Sequence, residues 1–417
     1  MPFRWLLFPA LTMSLGWGLR GFIGGGPLGA MIPGAMVALC LALLLERDGD
    51  EAGLLAAFGA VGVGFGGQET YGQTVGLALQ PETFWWAITG FAIKGAAWGL
   101  LGGAFLALGL KRPARRELAA GLALMVAGTW TGWIAINHPK LIYFSNRVDK
   151  PREELWAGLV LGGLLLLAWM GRRGGARLLW RFAGWGALGG GVGFALGAAI
   201  QAWGRPTGMR PWIDWWKMME LTFGALLGMA YGWAAYRSRA EIGGARGGVR
   251  RFNVPLALAA AVALALVGIG LEYSLKIRFG YTVAGSLLLA AALWSEMLSW
   301  QIAITVTCCA FFMDLHEAKP AVGVWAGWAA VVAGSAVVAW VTAIQARARA
   351  MFLLMTWCAV GVSVLKVALP PGHWSTGGFV MEASFVAMAA GCTVWARAQR
   401  IGSVAGMPSN ARTDARS

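Results

Sequence analysis

Charged residues are scarce in this chain. Only 13% of its 417 residues are Asp, Glu, Lys or Arg, whereas 58% are hydrophobic. A soluble protein of this length has too little interior to hide so much apolar surface, so the composition excludes a water-soluble globular fold. The sequence therefore predicts an all-α polytopic membrane protein with the lipid bilayer as its first partner.

Several classes of site lack the residues they need. The five cysteines lie inside apolar segments without metal-ligand spacing, which argues against a disulfide framework. The DLHE sequence at 314–317 does not have a known zinc spacing. No Gly-Lys-Ser/Thr follows the glycine-rich runs, so they are not nucleotide-binding loops. We therefore predict no cofactor, no metal ion and no defined catalytic residue.

Apolar segments recur along the whole chain. A helix needs about 20 residues to cross a hydrocarbon core of about 30 Å. We predict about fourteen spans, with twelve as the lower bound, and the first two segments are alternatively one helix and a re-entrant piece. The segments lie near 5–22, 26–46, 52–70, 83–110, 117–137, 153–171, 178–203, 212–236, 254–274, 281–299, 301–317, 320–345, 350–369 and 377–397.

The net charge of +15 comes mostly from arginines in short loops between the apolar segments, so nucleic acid is not an expected partner. If the N-terminus is inside, the strongest basic runs all fall on the inner side, at 111–116, 171–177, 237–251 and 346–349. Lysine and arginine are enriched in cytoplasmic loops. The pattern predicts a prokaryotic-type cytoplasmic (inner) membrane protein with both termini in the cytoplasm.

An internal similarity suggests a parallel duplication. Residues 63–103 match residues 192–232 at a constant offset, and the shared positions include two ladders of glycines spaced four apart: Gly95, Gly99 and Gly103, and Gly224, Gly228 and Gly232. Such ladders let neighbouring helix backbones approach closely. We predict a four-helix unit at 1–116, a second at 117–251, a six-helix region at 252–401 and a disordered cytoplasmic tail at 402–417.

Ionisable and polar side chains gather in the outer half of the predicted membrane. Lys94 lies deeper, about 16 Å along its helix. An ionisable residue in the hydrocarbon costs at least about 2.5–3.5 kcal/mol, so it normally faces a partner, a cavity or water. The predicted solute-binding residues are Arg20, Glu69, Lys94, Asn137, Lys217, Glu220 and Glu272.

Arg20 stands out because it precedes the helix-breaking run Gly24-Gly25-Gly26-Pro27. Broken helices are tolerated in a membrane where the freed backbone lines a cavity or is buried in protein. Arg20, Lys94 and the free N–H groups after Pro27 would favour a carboxylate or phosphate. Two simpler alternatives remain: Arg20 reaches the headgroups or pairs with Glu69, and Lys94 belongs to a structural ion pair.

Three functions fit these patterns. The first is a transporter or permease for a small anionic or zwitterionic solute. The alternative is an integral membrane enzyme with an outward-facing site for a lipid-linked or acyl donor, which short outer loops disfavour. The second alternative is a structural subunit of a membrane complex, with other membrane proteins or further copies of this chain as partners.

Overall fold

The computed structural model describes residues 3–23, 25–147, 151–243, 250–273, 280–317, 323–369 and 375–399, without the side chains of 22, 271–273 and 316–317. All regular structure in these ranges is helical, which confirms the predicted all-α class. The predicted tail at 402–417 lies outside the described residues.

Sixteen α-helices follow one another in the described ranges. They are α1 (Phe3–Ile23), α2 (Gly26–Leu44), α3 (Gly49–Gly66), α4 (Gly72–Ala78), α5 (Phe84–Lys111), α6 (Arg115–Gly132), α7 (Trp156–Arg172), α8 (Ala176–Gly204), α9 (Trp215–Ile242), α10 (Val254–Tyr273), α11 (Gly280–Ala292), α12 (Glu296–Trp300), α13 (Thr307–Glu317), α14 (Val324–Ile344), α15 (Ala348–Ala368) and α16 (Thr376–Ala398). Wider π-helical turns extend α6 over Trp133–Asn137 and join α12 to α13 over Gln301–Val306.

Eight helical segments in the described ranges are long and apolar enough to cross a membrane. They are Gly26–Leu44, Phe84–Lys111, Arg115–Asn137, Ala176–Thr207, Glu296–Leu315, Val324–Ile344, Ala348–Ala368 and Thr376–Ala398. Such a set indicates an integral membrane protein.

The helices α2 and α3 form the centre of the bundle. Every residue of α2 from Pro27 onwards is buried, and almost all of α3 is buried as well. A helix that is apolar on all sides belongs in an interior. Small residues bring the two helices together, because a Cβ atom at Gly34 would lie 2.3 Å from the carbonyl oxygen of Gly59.

Both glycine ladders are close-packing faces, as their spacing predicts. On α5, Cβ atoms at the ladder positions would lie about 2 Å from carbonyl oxygens of α8, and the shortest distance is 1.8 Å, from Gly99 to Gly186. On α9, the ladder faces α1. The shortest distance there is 1.8 Å, from a Cβ atom added at Gly232 to the carbonyl oxygen of Trp5. Any side chain at these positions would push two helices apart.

Two helix boundaries differ from the predicted ones. The predicted span at 52–70 ends at Gly66, and the following residues form a turn and the short helix α4. The predicted break at residue 300 is wrong, because the chain stays helical from Glu296 to Glu317. The break comes earlier, where the side chain of Ser295 accepts a hydrogen bond from the backbone N–H of Leu298 and begins α12.

Candidate functional site

A buried turn at 67–71, immediately after α3, lies at the centre of the candidate site. Two glycines fit this turn against its neighbours. A Cβ atom at Gly66 would lie 2.0 Å from Cδ1 of Trp98, and one at Gly67 would lie 2.5 Å from Cα of Pro27. The turn is therefore pressed between α5 and the start of α2, which fixes the positions of its polar side chains.

Lys94 is a fully buried cation on α5. Its ammonium nitrogen lies 2.8 Å from Oε1 of Glu154 and 3.2 Å from Oε1 of Glu69. It also donates hydrogen bonds to the carbonyl oxygen of Thr70 (2.6 Å) and the hydroxyl of Thr74 (3.0 Å). A buried charge is tolerated when it is paired and hydrogen-bonded in this way.

The two carboxylates around this ammonium differ in the donors they accept. Glu154 also accepts hydrogen bonds from the backbone N–H of Phe144 (3.1 Å) and the hydroxyl of Ser145 (2.8 Å). Glu69 accepts one at Oε2, from the backbone N–H of Leu155 (2.7 Å). Apart from its ion pair, Oε1 of Glu69 is buried with no hydrogen-bond partner among the described residues.

Asn137 holds the segment that presents Glu154. It ends the π-helical turn after α6, and its Oδ1 accepts hydrogen bonds from the backbone N–H groups of Ala157 (3.1 Å) and Gly158 (3.2 Å). These groups belong to the first turn of α7 and have no partner inside the helix. Asn137 is therefore a capping side chain next to the ion pairs.

Arg20 is buried near the end of α1, with 3% of its surface exposed. Its Nη1 donates a hydrogen bond of 2.9 Å to the hydroxyl of Tyr71. The guanidinium carbon lies 5.4, 5.7 and 5.2 Å from the ring centres of Trp17, Tyr71 and Trp98. These rings attract the cation through their π faces. The Nε atom is buried without a hydrogen-bond partner among the described residues.

Glu220 is the counter-charge on this side of the turn. Its carboxylate accepts hydrogen bonds from Lys217 Nζ (2.7 Å), Trp216 Nε1 (3.0 Å) and Tyr71 Oη (2.9 Å). A glycine on α1 leaves the necessary room, since a Cβ atom at Gly21 would lie 2.1 Å from Oε2 of Glu220. Tyr71 therefore connects Arg20 to Glu220, accepting from one and donating to the other.

Two charge clusters thus meet at the 67–71 turn. We name them the Lys94 cluster (Lys94, Glu69 and Glu154) and the Arg20 cluster (Arg20, Lys217 and Glu220). With all six side chains ionised, the formal charges are −1 and +1, so the pair of clusters is neutral. All six side chains are at least nine-tenths buried.

The structure brings most of the predicted site residues together. Five of them belong to the two clusters, whose sixth member is Glu154, and Asn137 caps the neighbouring helix. The side chain of Glu272 lies outside the described residues. The alternative pairing of Arg20 with Glu69 is not seen, because Arg20 bonds to Tyr71 on the other side of the turn. The alternative for Lys94, a structural ion pair, is present and involves two carboxylates.

Sequence patterns do not single out Glu154 and Tyr71, although both are central here. A signal for Glu154 exists, because acidic residues immediately before an apolar run are typical of a helix start. Nothing in the sequence around Tyr71 shows that its hydroxyl connects Arg20 to Glu220.

A cavity of about 390 Å³, lined in part by charged side chains, lies at the starts of α9 and α16. Its lining includes Arg205, Arg210, Asp214 and Trp216. The indole N–H of Trp216 is also the donor to Glu220. One side chain thus borders both the Arg20 cluster and this cavity, which we name the vestibule.

No group of three or more His, Cys, Asp or Glu side chains suited to a metal ion occurs in the part of the chain that the structure describes. Comparison with known proteins gives no matching family model, no matching curated protein and no matching solved structure.

Proposed function

We propose that this chain is a permease for a small anionic or zwitterionic solute that binds at Arg20. The observation that carries the proposal is the buried, incompletely bonded guanidinium. Arg20 has three aromatic neighbours, one hydroxyl partner and an Nε without an acceptor among the described residues. Leaving a buried charged donor unsatisfied is costly. A carboxylate or phosphate matches the fork of guanidinium donors and would supply the missing acceptor.

The vestibule supports the same class of solute. Arg205 and Arg210 line it and are exposed. Positive charge at the mouth of a cleft raises the local concentration of anions. A solute that passes Trp216 would reach Glu220, which serves as the internal counter-anion while the site is empty. The chain contains no nucleotide-binding loop, so a solute or ion gradient would drive transport.

We also propose that the chain forms about fourteen spans in a prokaryotic-type inner membrane, with both termini in the cytoplasm and the Arg20 cluster in the outer half. Six helices would join the eight long apolar segments to reach that number: α1, α3, α7, α9, α10 and α11. Hydropathy underrates three of these helices because each carries a buried ionisable side chain: Arg20 on α1, Glu51 on α3 and Lys217 on α9.

The proposed duplication relates the units 1–116 and 117–251. The offset aligns α3 with α8 and α5 with α9. The glycine ladder of α5 packs on α8, whereas that of α9 packs on α1, so the two ladders contact helices that are not equivalent. Duplication followed by a change of packing partner accounts for both facts.

Thermal unfolding of the purified protein tests the Arg20 site. The panel contains small carboxylates, inorganic phosphate, zwitterionic amino acids and neutral sugars. At about one hundred times its dissociation constant, a ligand raises the free energy of unfolding by about 2.7 kcal/mol. We expect anions or zwitterions to stabilise the wild type and Arg20→Lys to lose the effect, because lysine cannot bind them in a bidentate way.

The matched control is Arg115→Lys. Arg115 also lies over a tryptophan ring, at 4.7 Å from the centre of Trp294, but it is exposed and lies outside both clusters. This variant should respond to ligands as the wild type does. Stabilisation by sugars alone, or equal stabilisation in Arg20→Lys, would overturn the proposed site.

A further inference from the structure

We infer that Glu69 is a proton-binding site and that the coupling ion of the proposed permease is a proton. The role in coupling rests on the proposed function, whereas the protonation of Glu69 does not. The site consists of the Lys94 cluster, where two carboxylates lie within 3.2 Å of one ammonium in the interior of the bundle.

Counted by itself, the Lys94 cluster carries one negative charge in excess. One buried lysine compensates one carboxylate and leaves the second in excess. The threonine groups around Lys94 are neutral, so they do not remove the excess. Among the described residues, the charged groups that face Glu69 are Lys94 from α5 and Glu154 from the segment before α7. Of the cations in the Arg20 cluster, Lys217 pairs with Glu220, and Arg20 donates to the hydroxyl of Tyr71.

Hydrogen bonding identifies Glu69 as the group that takes the proton. Glu154 and Glu220 each accept at least three hydrogen bonds from N–H or O–H donors, which stabilises them as anions. Glu69 has one such bond, to Oε2, and its buried Oε1 has only the ion pair with Lys94 at 3.2 Å. Of these three carboxylates, Glu69 therefore loses the least hydrogen-bonding free energy when a proton neutralises its charge.

The position of Glu69 suits it to coupling. Tyr71, two residues later in the same turn, is the hydrogen-bond partner of both Arg20 and Glu220. An anion that binds Arg20 competes with the Tyr71 hydroxyl for the guanidinium and so acts directly on this turn. A proton on Glu69 makes the Lys94 cluster neutral, while a monovalent anion makes the Arg20 cluster neutral. Each ligand thereby offsets the charge of the other, which couples their binding free energies.

Infrared difference spectroscopy of the purified protein tests the protonation directly. We expect the wild type at neutral pH to show the carbonyl band of a protonated carboxylic acid and Glu69→Gln to lose it. The matched control is Glu382→Gln, which removes another buried carboxyl that lies outside both clusters. That variant should retain the Glu69 band. A band unchanged by Glu69→Gln throughout a pH titration would overturn the inference.

A second variant addresses the possibility that Glu69→Gln does not fold. In Glu154→Gln, Glu69 becomes the only carboxylate paired with Lys94, so it should ionise and its band should disappear at neutral pH although the residue is present. Persistence of the band in Glu154→Gln would also overturn the inference. The Arg20→Lys test does not depend on this result. A ligand response lost in Arg20→Lys, together with no Glu69 band, would support the proposed permease site and overturn the protonation of Glu69.

Discussion

At the scale of single residues, Lys94 is the cation whose loss should be most damaging. Lys94→Met would leave Glu69 and Glu154 buried side by side without a positive partner. Removing one member of a buried ion pair typically costs about 3–5 kcal/mol. We expect a loss of unfolding free energy of that order, measured by denaturant or thermal unfolding in detergent.

The control for this prediction is Arg112→Met. Arg112 pairs with Asp50 at 2.9 Å, but both side chains are 38% exposed. Exposed pairs contribute about 0–1 kcal/mol, so this variant should unfold almost as the wild type does. If Lys94→Met and Arg112→Met lower the unfolding free energy equally, Lys94 is not in a dry, paired environment, and the two-cluster description is wrong.

The depth of Lys94 within an apolar segment is enough to mark it as functional or paired. Its partners are less predictable, because Glu154 lies sixty residues further along the chain and reaches Lys94 through tertiary packing alone. The same holds for Arg20, whose apolar surroundings follow from the sequence while its contact with Tyr71 does not. Charge and depth are local properties, and pairing is not.

At the scale of helices, the glycine ladders should be intolerant of even a methyl group. A Cβ atom at Gly99 would lie 1.8 Å from the carbonyl oxygen of Gly186, and backbone cannot move aside as a flexible side chain does. Overpacking costs about 1–3 kcal/mol, occasionally more. We therefore expect Gly99→Ala to lower the unfolding temperature of the purified protein.

Gly361→Ala is the matched comparison. Gly361 lies within α15, is exposed, and has no heavy atom within 4 Å of its added Cβ. Alanine favours a helix over glycine by about 1 kcal/mol, so this substitution should be neutral or stabilising. Equal destabilisation by both variants would show that loss of glycine itself, not close packing, sets the cost.

Helix positions and close-packing faces follow from the sequence because both are periodic along one segment. The exact ends do not follow so well. Residues 281–317 are apolar almost throughout, so hydropathy places the break at Trp300, whereas the N-cap Ser295 begins the new helix. The end of α3 at Gly66 is set by contact with α5 and α2, which the sequence of α3 does not contain.

At the scale of the whole molecule, the two clusters form one electrical unit. Three cations and three carboxylates from α1, the 67–71 turn, α5, the segment before α7 and α9 add up to zero charge. Binding a monovalent anion alone would leave −1, and binding a proton alone would leave +1. Binding both leaves the pair neutral and also makes each cluster neutral by itself, which a low-dielectric interior favours over two separate opposite charges.

This balance predicts electroneutral transport. A monovalent anion that stabilises the wild type in the thermal panel should enter proteoliposomes with one proton, so a pH gradient should drive its uptake and a membrane potential should not. Glu69→Gln removes the proton but keeps the neutral Lys94 cluster, so its remaining anion flux should carry charge and respond to potential. Flux of the same anion is measured under imposed potassium diffusion potentials, with Glu382→Gln as the control. Wild-type uptake that follows the potential would contradict one-to-one coupling, because a neutral pair of ligands moves no net charge across the membrane.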